Sequence, residues 1–511
     1  MSWIALKMLV GDRAKFFGIV MGLTFAALLI TQQGSIFCGL MLRTAGQITD
    51  ITGADLWVMD PAVRYVDDVK PMIENNLYRV RGVPGVLWAV PLYKGQARVK
   101  VGPKGMGKGN QPTAIEQVIL LGLDDTSLVG APPAAKLLVG DLWDLRRPDA
   151  VIVDHTRLMK LYPSHVENWG ELDELIKRKG KTEGQKAFFA RFINREMEMN
   201  DRRAVIVGIC EATRTFQSNP VVYTTYTRAK RYAPQERKIL SYILAKTEPG
   251  LTPETVAKRI GTETGLGAKT SDEFQRMTID YYMKYTGIPI NFGITAALGF
   301  LVGTAIAGQT FYNFTLENLK QFGALKAMGA TNGRIVNMIL LQALVVGLLG
   351  YGIGTGAACF FGWGNQSPVS DLSFFAPKLV LNHLGIPHSP YGEASSNHAA
   401  VSLGRLFYDN GPALIVTLAL VGLSALLWLA RLIKKDVFVQ AVVVISLSYL
   451  ASGLLAIYFM RQGMKGSELA FYTWWPVPLI TGFAVVFICI LASLISIRRV
   501  MVLEPAVVFR G

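Results

Sequence analysis

The sequence predicts an α-helical membrane protein of about six transmembrane helices, with a large mixed α/β domain outside the cytoplasm between helices 1 and 2. Three observations predict it. The 511-residue chain is 51% hydrophobic and 17% charged, with a positive mean hydropathy. That apolar excess is beyond a soluble protein of this length. Six windows lack any charged residue: they fall within Phe16–Leu42, Thr286–Leu316, Ile335–Ser370, Asn410–Ala430, Val437–Met460 and Leu469–Ile497. Each is long enough for the ~30 Å hydrocarbon core, which takes about 20 residues. Finally, residues 43–285 separate the first two windows and mix charge with short apolar runs.

Basic residues assign the sides. Lys7, Arg13 and Lys15, then Lys320, Lys326 and Arg334, then Arg431, Lys434 and Lys435, then Arg498, Arg499 and Arg510 flank the windows. With six spans all four clusters fall on one side, which the positive-inside rule makes cytoplasmic. The net charge of +15 therefore reads as span flanks. No zinc-finger or RRM pattern accompanies it, and no nucleic-acid partner is expected. Lys7, Arg13 and Lys15 would suit a signal peptide, but the apolar run after them is too long, so the first span reads as a retained anchor. Ile36-Phe37 ahead of Cys38 do not suit a lipoprotein site. Of Cys38, Cys210, Cys359 and Cys489, three lie in spans, so no disulfide framework forms and the thiols read as small apolar fillers.

In residues 43–285, the runs Val86–Val90, Gln117–Leu121, Ala150–Val153, Ala204–Val207 and Ile239–Leu244 read as strands. Thr252-Pro253-Glu254 reads as a helix start and Gly265 as its stop. A second helix from about Ser271 carries Phe274, Met277 and Tyr281 toward the second span, with Pro289 at the junction. It reads as a stalk continuous with the span, or as an ordinary linker. Residues 165–202 are strongly charged and read as a solvated insertion. The remaining divisions are an N-terminal elbow and first span at 1–42, two spans around a corner at 286–362, an outside loop at 363–409, a hairpin at 410–460, and the last span and tail at 469–511.

The corner, NLKQFGALKAMGATNGR, is the most informative stretch. Thr315 is expected to cap a helix over Leu316–Met328, Gly329 to end it in a left-handed conformation, and Thr331 to cap the next helix. Phe322, Leu325 and Met328 recur every three residues as an apolar stripe. Such a stripe either lies on lipid headgroups or docks into a partner's groove. The tail VMVLEPAVVF is apolar and packs on the corner or on a partner. Gly299 with Gly303, and Gly350 with Gly354, have the spacing of close helix contacts, within the chain or at a dimer seam.

Chemistry is sparse. GPKGMGKG at Gly102–Gly109 fits the phosphate loop but ends in Gly109 where Ser or Thr should hold magnesium. It reads as a turn, and no cofactor is expected. His383, His388 and His398 share a loop with Glu393 in no zinc spacing. No G-x-S-x-G elbow occurs, and the spans carry no charge that would mark an ion path. The reading is a non-catalytic subunit whose energy comes from elsewhere.

FGALKAMGATNGRI followed by LLQALVVGLLGYGIG resembles the third-span start of MacB/FtsX-type ABC transporter permeases. IRRVMVLEPAVVFRG is similar to the end of their last span, and ALKMLVGDRAKFFGIV to their elbow and first span. VIVGICEATRTFQSNPVVYTTY resembles the outside domain of the DevC-like subgroup. The resemblance implies a permease in the inner (plasma) membrane, bound as a dimer to a separate cytoplasmic ATPase. It implies that Phe322, Gly323, Leu325, Lys326, Met328, Gly329, Ala330 and Thr331 include the docking surface. It also implies relay of ATP-driven closure to the outside domain, a periplasmic adaptor, and export or extraction of lipid-like substrates. An FtsX-like relay that activates wall hydrolases is the alternative. The hairpin at 410–460 departs from the family's four spans.

Overall fold

The structure is a computed structural model. It describes residues 2–101, 114–155, 181–233, 240–364 and 470–501, apart from 12, 214, 217 and 218, together with 158, 174, 175 and 178. The hairpin at 410–460, the loop histidines, Gly102–Gly109, the tail after Met501 and most of 165–180 lie outside the described residues.

Two compact units emerge, residues 1–40 with 287–511, and residues 41–286. In chain order, α1 (Ser2–Gly11) and α2 (Arg13–Thr44) come first. The α/β unit then holds α3 (Gly46–Asp50), α4 (Asn75–Arg81), α5 (Lys181–Phe189), α6 (Tyr226–Tyr232), α7 (Pro253–Thr264) and α8 (Ser271–Tyr285). The remaining helices are α9 (Ile288–Glu317), α10 (Leu319–Ala327), α11 (Asn332–Gly364) and α12 (Pro476–Met501). Among the described residues, α2, α9, α11 and α12 are the four helices long and apolar enough to cross a membrane. The last begins at Pro476, not at Leu469, because proline favours a first turn. The residues before it run across α2 instead, where Tyr472 N–H donates to the Ser35 carbonyl at 2.9 Å.

The α/β unit is built on ten strands: β1 (Leu56–Met59), β2 (Val86–Val101), β3 (Ala114–Leu123), β4 (Leu137–Val139), β5 (Ala150–Asp154), β6 (Glu196–Met199), β7 (Arg202–Cys210), β8 (Val221–Thr225), β9 (Tyr242–Thr247) and β10 (Gly267–Thr270). Their order is β10-β1-β9-β2-β3-β8-β5-β7-β4, with β6 pairing β2 and β7. Four of the five predicted runs lie wholly within strands, and Tyr242–Leu244 of the fifth lie in β9. Alternation sets the layers, since successive side chains point to opposite faces. Leu56 and Val58, Val118 and Leu120, and Ile243 and Ala245 enter one core with Val80, Val256, Ile260 and Phe189 of the helices. Trp57 and Met59, Ile119 and Leu121, and Tyr242 and Leu244 enter the other with Ile48 and Phe274. Both faces are covered, which is why the strands read as unbroken apolar runs. The glycine-rich 102–109 lies between Val101 and Ala114, which pair across an antiparallel ladder. A phosphate loop runs from a strand into a helix, so this position does not suit one.

Three helix ends differ from expectation. Thr252 precedes Pro253 as predicted, but its hydroxyl bonds the Thr255 hydroxyl at 2.7 Å, and no side-chain cap forms. Gly265 does end α7, with φ +71°. The predicted stalk is two helices, not one. Helix α8 stops at Tyr285, Thr286 is extended, and Pro289 sits in the first turn of α9. Proline clashes with the carbonyl four residues back, that of Tyr285, and cannot donate to it, which favours the break seen at Thr286. At its other end α8 has a complete capping box between Thr270 and Glu273, a signal the sequence reading passed over.

Several charged groups buried in this unit are paired. Asp50 on α3 accepts from Lys136 Nζ at 2.6 Å and from Thr213 N–H at 2.6 Å. Lys94 Nζ donates to the Val66 carbonyl at 2.7 Å and to Asp67. Burial pushes the Lys94 ammonium down, and Asp67 opposes that. Burial pushes the Cys210 thiol well up. His155, at the end of β5, has Nδ1 3.3 Å from the Cys210 carbonyl and 3.5 Å from Asp154. Burial disfavours its charged form, but Asp154, Glu211 and that carbonyl outweigh it and raise the imidazole above 6.5. A raised value stabilises the fold below the unfolded pKa and ceases to do so as pH climbs through the folded one. Thermal melts of the full chain in nanodiscs should therefore show stability falling from about pH 6 to about pH 8. His155→Gln should flatten that slope; equal slopes would refute the assignment.

Candidate functional site

The corner joins α9 to α11. Helix α9 runs through Thr315, which is buried, and ends at Glu317. The expected cap at Thr315 is thus replaced by Asn318, whose amide donates back to the Phe314 carbonyl at 2.8 Å. The charged ends of α2 and α9 meet in the Lys15–Glu317 ion pair. Helix α10 then closes with a double bond pattern. Ala330 N–H reaches the Leu325 carbonyl at 3.0 Å, and Gly329 N–H reaches the Lys326 carbonyl at 3.0 Å. This is the Schellman arrangement, and it needs the left-handed residue that Gly329 supplies at φ +90°. The Thr331 carbonyl accepts Arg334 N–H at 3.0 Å and opens α11.

The eight residues singled out in the sequence divide by direction. Phe322, Gly323 and Leu325 are buried. Phe322 and Leu325 pack with Ala5 of α1, Ile335, Met338 and Ile339 of α11, and Val500 of α12. Ala330 is half-buried against the same cluster. Lys326 turns toward the end of α12, with Nζ 3.0 Å from the Val500 carbonyl. Met328 (75% exposed), Gly329 and Thr331 face outward. The stripe splits because a three-residue step falls short of a turn. At ~100° per residue the third member is about 120° from the first. The outward surface also includes Gln321, Asn332 and Arg334, which the three-residue spacing could not flag.

Beneath the corner, the predicted glycines all face α2. A methyl at Gly299 would meet Leu29, and one at Gly303 would overlap Ala26. One at Gly350 would meet Leu23 and Thr24, and one at Gly354 would lie 2.5 Å from the Thr24 carbonyl oxygen. Thus α9 and α11 both approach the first span at backbone distance. Hydroxyls fasten α12 and the segment before it to α2: Thr31 donates to Thr481 of α12 at 3.1 Å, and Ser35 pairs with Thr473 ahead of that helix at 3.0 Å. Gln342 Nε2 donates to the Ala5 carbonyl at 2.6 Å and ties α1 to α11. Among the described residues no group of three or more His, Cys, Asp or Glu could hold a metal.

The family described as FtsX-like permease C-terminal matches residues 293–436, which include most of α9, all of α10 and α11. No curated protein sequence matches the chain. The extracellular domain of the noncanonic ABC-type transporter YknZ from Gram-positive bacteria is 12% identical, with a TM-score of 0.25 over 42% of this chain and 98% of its own. The periplasmic region of MacB from Actinobacillus actinomycetemcomitans is 12% identical, with a TM-score of 0.28 over 47% and 95%. A domain of a putative permease protein from Porphyromonas gingivalis is 13% identical, with a TM-score of 0.23 over 44% and 90%. Long apolar helices around a helical corner, with a large α/β unit after the first of them, are the architecture of an integral membrane protein. Residues 293–436, which hold that corner, match an FtsX-like permease domain, as the corner's residues suggested.

The glycine contacts are testable. Gly354→Ala, against backbone, should cost about 1–3 kcal/mol as an overpacked site. Gly333→Ala has nothing within 4 Å, and should shift stability by less than about 0.5 kcal/mol. Thermal unfolding in nanodiscs compares them; equal melting would mean that α11 does not pack on α2.

Proposed function

We propose that the chain is the non-catalytic membrane subunit of an ABC transporter, working in the plasma (inner) membrane as a homodimer with a separate cytoplasmic ATPase. The observation that carries this is the corner's division of labour. Its apolar side is buried in the spans, and its outer side presents Met328, Gly329 and Thr331 on a fixed turn. An exposed methionine on a rigid, basic-flanked turn suits a protein groove. A burst of nucleotide-driven closure in the ATPase would be felt there first. In this reading the α/β unit lies outside the cytoplasm. It moves lipid-like or hydrophobic substrates with a periplasmic adaptor, as in DevC-like members, whose outside domain the 205–226 segment resembles.

The test is co-purification of the full chain with its ATPase from native membranes. Met328→Asp should weaken that association by roughly 10-fold or more, the scale of an interface hot spot, and lower coupled ATPase activity with it. Unchanged association would sink the docking assignment. If the complex forms yet moves no lipid or drug, and a wall hydrolase is recovered on the α/β unit, the FtsX-like relay replaces export.

A further inference from the structure

Two spans are joined to the corner by backbone, and a third meets it through an apolar contact at Val500 and a cation at Lys326. Helices α9 and α11 run directly into α10 along the chain. Helix α12 does not. Lys326, on the last turn of α10, donates from Nζ to the Val500 carbonyl at 3.0 Å and to the Met501 carbonyl at 3.3 Å. Val500 and Met501 are the last described residues of α12. A hydrogen bond from an ammonium to a backbone carbonyl is charge-assisted. Around this contact, Lys326, Asn332, Ile335, Val336, Ile339 and Ile497 line one groove. Val500 sits in the same apolar cluster as Phe322 and Leu325.

The two kinds of contact do different things. Helix α12 also packs along α9 and α11, but apolar contact is non-directional and tolerates axial sliding. A charge-assisted hydrogen bond has a defined length and direction. The Thr31–Thr481 and Tyr351–Pro478 bonds hold the first turns of α12; Lys326 is the bond that ties its other end to the corner.

We propose that Lys326 is a positioning residue that couples the last span to the corner, so that a push there moves three spans instead of two. The source of the push rests on the docking reading above; the coupling itself does not.

The experiment uses the full chain in phosphatidylethanolamine–phosphatidylglycerol nanodiscs, with spin labels at Asn332→Cys and Met501→Cys, on opposite sides of the groove. Pulsed dipolar spectroscopy should give one narrow distance for the native chain. Lys326→Met should broaden it about twofold, and Lys326→Arg, which keeps a cationic donor, should restore it. In the complex, Lys326→Met should lower coupled ATPase activity roughly 5-fold, and Lys326→Arg should recover at least about half. An unchanged distance in Lys326→Met, or no recovery with Lys326→Arg, would overturn the coupling. Met328→Asp separates the two ideas: it should keep the narrow distance while losing the ATPase. A chain that binds no ATPase but still broadens with Lys326→Met would reject the docking reading and leave the coupling standing.

Discussion

The span unit depends on how closely other helices reach the backbone of α2. Lipid tails are as apolar as the side chains they surround, so burial of greasy surface gives little reason for helices to associate. Dispersion and hydrogen bonding must do it, and both fall off steeply with distance. Gly303, Gly350 and Gly354 remove the side chains that would hold α9 and α11 away from Ala26, Leu23, Thr24 and Ala27. Thr31 and Ser35 add hydroxyl pairs to Thr481 and Thr473 on the remaining side. The corner has a firm base only because those contacts fix the two helices that enter and leave it.

That base explains the form of the corner itself. A nine-residue helix cannot hold its shape alone in water. Helix α10 is kept by the seat for Phe322 and Leu325 and by the left-handed turn at Gly329. The buried and the exposed residues of the corner are consequently different ones, with Leu325 and Met328 three positions apart on the same short segment.

Much of this was legible in the sequence, and the losses have physical causes. Charge-free windows announced the four described spans, because a charge in lipid is too costly to be hidden. Gly329 announced its turn, because few residues tolerate that backbone. The five predicted strands were apolar runs bounded by turns. Strands β6 (EMEM) and β10 (GAKT) carry no such signal and exist through their neighbours: β10 is zipped to β1 over Leu56–Met59. Thr315 looked like a cap because hydroxyls favour caps, yet the helix ran through it. Phe322 and Leu325 were visible as a stripe, but which way a stripe faces depends on what lies beside it. The reach of Lys326 to Val500 joins positions 174 residues apart; the apolar VMVLEPAVVF hinted at a meeting with the corner, but not at the side chain that makes it.

Strand β2 has a consequence of its own. Its first part, Val86–Leu92, pairs with β9, and its second, Tyr93–Val101, with β3. A single sixteen-residue strand thus serves as a beam through both halves of the sheet. One ladder ends at Leu92 and the other begins at Tyr93. At that handover a single backbone carries both halves of the sheet, so a change of twist on either side is passed to the other along β2.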